Sequence, residues 1–94
     1  MFKIIITKKH ILKNQQMNKE EILQIVNEIF IDVLDNPSIV INLNTIADDV
    51  EDWDSLNHIQ LVVAIEKRFN VRFKSSEIRN WENVNEMIES ILAK

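Results

Sequence analysis

Residues 48–62 read DDVEDWDSLNHIQLV. An acidic connection runs into Trp53, and Asp54-Ser55 then opens an apolar run. Aspartate is among the favoured residues at a helix N-cap, because its carboxylate accepts one of the otherwise unpaired first-turn N–H groups. A helix is therefore expected from Ser55, with Asp54 as its cap. The run continues to Phe69, where Asn70 can adopt the left-handed backbone that ends many helices.

On a helical wheel this segment has two apolar faces. With Leu56 at zero and about 100° per residue, Leu61, Val62, Ile65 and Phe69 fall between about 140° and 240°. Leu56, Ile59 and Val63 fall between about 300° and 360°, nearly opposite. A thin bundle buries one broad face of a helix well. The second stripe is therefore expected to be exposed as a contact surface, unless the preceding loop covers it.

Upstream, Asn18 and Glu21 have the spacing of a capping box. Ile22, Ile25, Val26, Ile29 and Val33 follow at three- and four-residue steps, marking a buried stripe. Asp35-Asn36-Pro37 ends that helix. Residues 36–53 form a long connection, uncommon in a small domain and often functional. Its Ile39, Ile41, Leu43, Ile46 and Val50 should pin it to the bundle. Downstream, Val71 and Phe73 look like packing anchors, and Ser75–Ile78 suggests a short helical turn. Asn83 caps a last helix, with Glu86 at the box position and Val84, Met87, Ile88, Ile91 and Leu92 as its stripe. The expected fold is all-α: a small bundle of three to four helices with a long loop between the first and second.

The 94 residues allow one small domain. Residues 1–16 carry Lys3, Lys8, Lys9 and Lys13 and no acid, and lack helical periodicity. They read as a basic, flexible N-terminal extension ahead of a domain spanning 17–94, or else as a functional basic arm or a short strand at Ile4–Thr7. That domain holds seven Lys/Arg against all fifteen Asp/Glu, a net charge of −8. An acidic body argues against nucleic acid, whose phosphates need a basic face, and suits partners with basic patches. With no cysteine there is no disulfide framework, thiolate metal site or cysteine nucleophile. No run approaches membrane-spanning length. A cytoplasmic monomer is the expectation.

A serine at a helix start is ordinarily a cap. Here Asp54 holds that position, which frees Ser55 for another task. The helix start offers unpaired N–H groups and a positive dipole end, a favourable field for a phosphate ester on Ser55. The pattern suits a phosphorylated or phosphopantetheinylated serine. It does not suit a serine hydrolase, since the chain has no glycine and hence no Gly-x-Ser-x-Gly elbow. His58 falls toward the core side of the wheel, which fits a histidine lining the top of the bundle better than a catalytic base. No catalytic constellation is visible, so an enzyme is not expected.

Asp54-Ser55-Leu56, followed by Ile59 and the run LVVAIEKRF, resembles the acyl carrier proteins. The resemblance covers residues 17–94, including the long loop and the F-N-V-x-F segment after the second helix. It implies that Ser55 carries a 4′-phosphopantetheine arm, transferred from coenzyme A by a phosphopantetheinyl transferase. The arm would hold an acyl or aminoacyl group as a thioester, with no metal and no catalysis by the carrier. It also implies that acyl-loading and acyl-using enzymes read Asp54, Leu56, Ile59, Val63 and Glu66. Carriers of general fatty-acid synthesis usually have acids two and five residues after the serine, where this chain has Asn57 and Gln60. Lys67 and Arg68 replace further acids, and Trp53 and Asn70 stand where glycines are usual. These departures favour a dedicated biosynthetic pathway. The competing reading is an unmodified helical protein-interaction module.

Overall fold

The computed structural model describes residues 17–94, so the basic segment 1–16 lies outside the described residues. Four helices form: α1 (Lys19–Leu34), α2 (Ser55–Phe69), α3 (Ser75–Asn80) and α4 (Val84–Leu92), with a 3-10 turn at Ala47–Asp49 inside the long loop. The described residues contain no strand.

The helix ends follow from side-chain chemistry. At α1 the expected capping box forms: Glu21 N–H donates to Asn18 Oδ1 at 2.9 Å, and Asn18 N–H donates to Glu21 Oε1 at 3.1 Å. Asp35 and Asn70 terminate α1 and α2 in the left-handed conformation, at φ 54° and 56°. At α4 the expectation is half met. Asn83 Oδ1 accepts Glu86 N–H at 3.0 Å, but the Glu86 carboxylate takes Glu82 N–H instead of closing the box. The short turn after Phe73 extends to six residues as α3, and Glu77 anchors it. The Glu77 carboxylate accepts the Lys74 N–H at 2.7 Å and pairs with Lys94 at 3.0 Å. The backbone N–H first, then Lys94, hold this carboxyl below its ordinary value.

α1 packs against both α2 and α4. Ile22, Val26 and Phe30 of α1 are fully buried with Leu61 and Ile65 of α2 and Val84, Met87 and Ile88 of α4. The α1 stripe is rotated from its expected position. Phe30 and Leu34 are buried, while Ile25 and Val33 are only partly so. The returning loop causes this: Trp53 sets its ring edge-on against Phe30 at 4.9 Å, and Ile39 and Ile41 join the same core. Leu92, expected in the α4 stripe, is largely exposed at the chain end.

The loop is held by polar bonds as well as apolar anchors. Asn27 of α1 donates to Ile39 C=O at 3.2 Å and accepts Ile41 N–H at 2.7 Å, the pairing an extended strand would otherwise supply. Buried Thr45 accepts Asn42 N–H at 2.8 Å. The carbonyls of Thr45 and Leu43 then accept the Val84 and Asn85 N–H groups at 3.0 and 2.9 Å. The loop thus satisfies the first turn of α4, whose N–H groups have no partner within their own helix. Of its apolar residues Ile46 stays exposed, as does Val40.

Candidate functional site at the start of the second helix

Ser55 is the first residue of α2 and is exposed. Asp54 caps the helix as expected. Its Oδ1 accepts Asn57 N–H at 2.9 Å, and its carbonyl accepts His58 N–H at 2.8 Å. Asn57 reaches back, donating from Nδ2 to the Asp52 carbonyl at 2.7 Å. That bond braces Asp52 at φ 72°, a left-handed conformation unusual for a residue other than glycine, asparagine or aspartate.

The starts of α2 and α4 are treated oppositely. The first two N–H groups of α4 are taken by loop carbonyls. Those of α2, on Ser55 and Leu56, meet no acceptor among the described residues, and both residues are exposed. An anion attached there meets free donors and the positive end of a four-turn helix.

The two faces of α2 separate as the wheel requires. Leu61, Val62, Ile65 and Phe69 are buried, whereas Leu56, Ile59 and Val63 are 68%, 62% and 45% exposed. The long loop does not cover the second stripe. Asp48, Asp49, Glu51, Asp52 and Asp54 are exposed on the approach to Ser55, so the end near the serine is acidic. The far end carries Lys67 and Arg68, favourably placed at the negative end of the helix dipole. Glu66 is half-buried, and its Oε2 accepts the Phe73 N–H at 3.0 Å, tying the post-helix segment to α2.

His58 lies inside an aromatic row. Trp53 Nε1 donates to His58 Nδ1 at 3.0 Å, with the two rings stacked at 6.0 Å. Trp81 meets His58 edge-on at 6.1 Å and Phe73 at 5.0 Å. Burial lowers the His58 pKa from the ordinary histidine value. The wheel placed His58 inward but gave no hint of Trp53 as its partner. The available signal was that the chain has two tryptophans, one five residues before this histidine. Among the described residues no group of three or more His, Cys, Asp or Glu is placed to hold a metal ion, and no helix is long and apolar enough to cross a membrane.

A helical bundle with a long pinned loop, an exposed serine at an open helix start and an uncovered apolar stripe beside it is the architecture of a carrier domain. Three comparisons agree. Residues 24–91 match the family described as the phosphopantetheine attachment site. An acyl carrier protein from Acidothermus cellulolyticus is 33% identical over 75 residues, covering 80% of this chain and 89% of that one. The solution NMR structure of a holo acyl carrier protein from Geobacter metallireducens superposes with a TM-score of 0.72 at 33% identity, covering 77% of this chain and 83% of that one. The chain belongs to the phosphopantetheine-attachment family of acyl carrier proteins. It is a carrier that works with enzymes and is not itself one, and its prosthetic group is covalent 4′-phosphopantetheine. Family membership sets aside the unmodified interaction module.

Proposed function

We propose that Ser55 is the attachment residue, joined to 4′-phosphopantetheine through its Oγ. We further propose that Asp54, Leu56, Ile59, Val63 and Glu66 are what partner enzymes read. The observation that carries this is the open start of α2, where an exposed Ser55 hydroxyl stands beside uncommitted N–H groups while Asp54 does the capping. The other serines of the matched segment fit less well. Ser90 accepts the Trp81 indole N–H at 2.8 Å, and Ser38 sits in the loop outside any helix. Ser75 and Ser76 open a helix of six residues whose first turn holds Glu77, unfavourable for a phosphate.

The residues present fit the group. The free N–H groups and helix dipole favour the phosphate, and the exposed stripe of Leu56, Ile59 and Val63 offers apolar contact to whatever approaches the arm. The bound group supplies the thiol that this cysteine-free chain lacks, and with it a thioester link to an acyl or aminoacyl cargo. The protein's own part is to hold Ser55 at a fixed, exposed point and to present flanking acids and apolar residues to its partners. These partners are a phosphopantetheinyl transferase and the enzymes that load and use the cargo, met by a cytoplasmic monomer. Asn57 and Gln60 in place of acids, and Lys67 and Arg68 at the helix end, support service in a dedicated pathway in preference to general fatty-acid synthesis.

The test is the intact mass before and after incubation with coenzyme A and a broad-specificity phosphopantetheinyl transferase, followed by peptide mapping. The expected result is a gain of one phosphopantetheine on the peptide holding Ser55, absent in Ser55→Ala. A gain that persists in Ser55→Ala, or maps to another serine, overturns the assignment.

A further inference from the structure

The indole N–H of Trp53 can only donate, so the His58 Nδ1 it meets at 3.0 Å must carry a lone pair. That fixes His58 as the neutral tautomer with its proton on Nε2. The bond joins the last residue but one before Ser55 to a residue one turn inside α2. Trp53 also leans on Phe30 of α1, and His58 on Trp81 between α3 and α4. The short segment presenting Ser55 is therefore tied to α1 by the Trp53 ring itself, and through one hydrogen bond to α2 and to Trp81. A proton on Nδ1 would set two N–H donors against each other and break it.

We propose that His58 is a positioning residue for Ser55: by accepting the Trp53 indole N–H it fixes the segment that presents the serine, and it does so only while Nδ1 is unprotonated. The groups packed on the imidazole are aromatic, Trp53 from the loop and Trp81 from the segment after α3. The charged side chains on those segments and on the adjoining turn of α2 are Asp52, Asp54 and Glu82, all exposed. Burial, which favours the neutral ring, acts in the same direction as the indole bond. A histidine that merely filled space would be replaceable by any side chain of similar size, and its protonation would not change the exchange of the segment that presents Ser55.

The proposal rests on Ser55 as the attachment point for one of its readouts and is independent of it for the others. His58→Asn puts Oδ1 where Nδ1 stood, an acceptor that does not titrate. His58→Leu removes the acceptor, and Trp53→Phe keeps a ring and removes the donor. The first readout is amide hydrogen exchange of the Trp53 and Asn57 N–H groups, bonded to Val50 C=O and Asp54 Oδ1, in the unmodified protein. Exchange is expected to quicken roughly two- to tenfold in His58→Leu and Trp53→Phe, the range one neutral hydrogen bond supports, and to be restored in His58→Asn. The second is tryptophan emission against pH. Both tryptophans of the chain touch His58, so wild type is expected to show one transition below the ordinary histidine range, absent from His58→Asn. The third is the rate of phosphopantetheine loading, expected to fall relative to His58→Asn as pH drops through that same transition.

Equal exchange of the Trp53 and Asn57 N–H groups in His58→Leu and wild type, with helicity intact, overturns the proposal. So does an emission transition that leaves exchange and loading unchanged. Loading that persists in Ser55→Ala refutes the serine assignment alone and leaves the exchange and emission results to decide the role of His58.

Discussion

The Asp54 carboxylate closes the first turn of α2 by accepting the Asn57 N–H at 2.9 Å, and the hydroxyl of its neighbour Ser55 has no hydrogen-bond partner among the described residues. One residue holds the helix and the next is left to chemistry. Ser55→Ala should therefore change stability by less than about 1 kcal/mol, whereas Asp54→Ala should cost about 0.5–2 kcal/mol, the usual loss for a cap. Urea unfolding of the two variants measures both. A larger loss for Ser55→Ala than for Asp54→Ala would mean that the serine, not the aspartate, is the structural residue.

The long loop depends on Asn27 in a way no apolar anchor replaces. Asn27→Ala leaves the half-buried Ile39 carbonyl and Ile41 N–H without partners, at a cost of about 1–3 kcal/mol. The denaturation midpoint should fall at nearly constant slope, since the surface exposed on unfolding hardly changes. A midpoint equal to that of wild type would mean that water replaces Asn27 and that Ile39 and Ile41 alone hold the loop.

How much of this was readable beforehand depends on the range of the interaction. The bounds of α2, its cap and both of its faces followed from residues within a few positions of one another, and the structure keeps them. Leu56, Ile59 and Val63 sit where the wheel put them, and Asp54 caps the helix that Ser55 opens. The rotation of the α1 stripe toward Phe30 and Leu34 was not readable, because it answers to Trp53 and Ile39 arriving from a distant loop. The Asn27 clamp and the capping of α4 by the Leu43 and Thr45 carbonyls are likewise backbone pairings across the fold, without a mark in composition or spacing. Glu66 was expected as a charge that partners read, and part of its carboxylate is engaged by the Phe73 N–H. Local periodicity cannot tell a solvated acid from one that catches a returning chain.

The two faces of α2 should respond oppositely to the same substitution. Ile59 is 62% exposed and Ile65 is fully buried. Ile59→Asp should move stability by no more than about 0.5 kcal/mol, within the range of ordinary surface changes, and should impair transfer to partner enzymes. Ile65→Asp places an unpaired carboxylate in the core and should unfold a domain this small. Circular dichroism melts separate the cases. Loss of fold in Ile59→Asp would mean that its stripe is covered in solution.

The His58–Trp53 bond gives folding stability a sign with respect to pH. Burial holds the folded-state pKa of His58 below the ordinary value that the unfolded chain shows. Between the two values the unfolded state binds more protons than the folded one, so stability rises with pH there. The contribution of neutral His58 is complete above the ordinary histidine value of about 6.5 and is lost as pH falls through it toward the lower folded value. Glu77 also loses its contribution on acidification, but in a separate window, because its folded pKa lies below the ordinary carboxylate value. His58→Asn isolates the histidine, since asparagine accepts the same indole N–H without titrating. Thermal melts from about pH 7.5 to pH 5 should therefore show wild type losing a few degrees more than His58→Asn, with the gap opening below the ordinary histidine value. Parallel melting curves across that range would mean that His58 is solvated in both states, and that the indole does not hold it neutral.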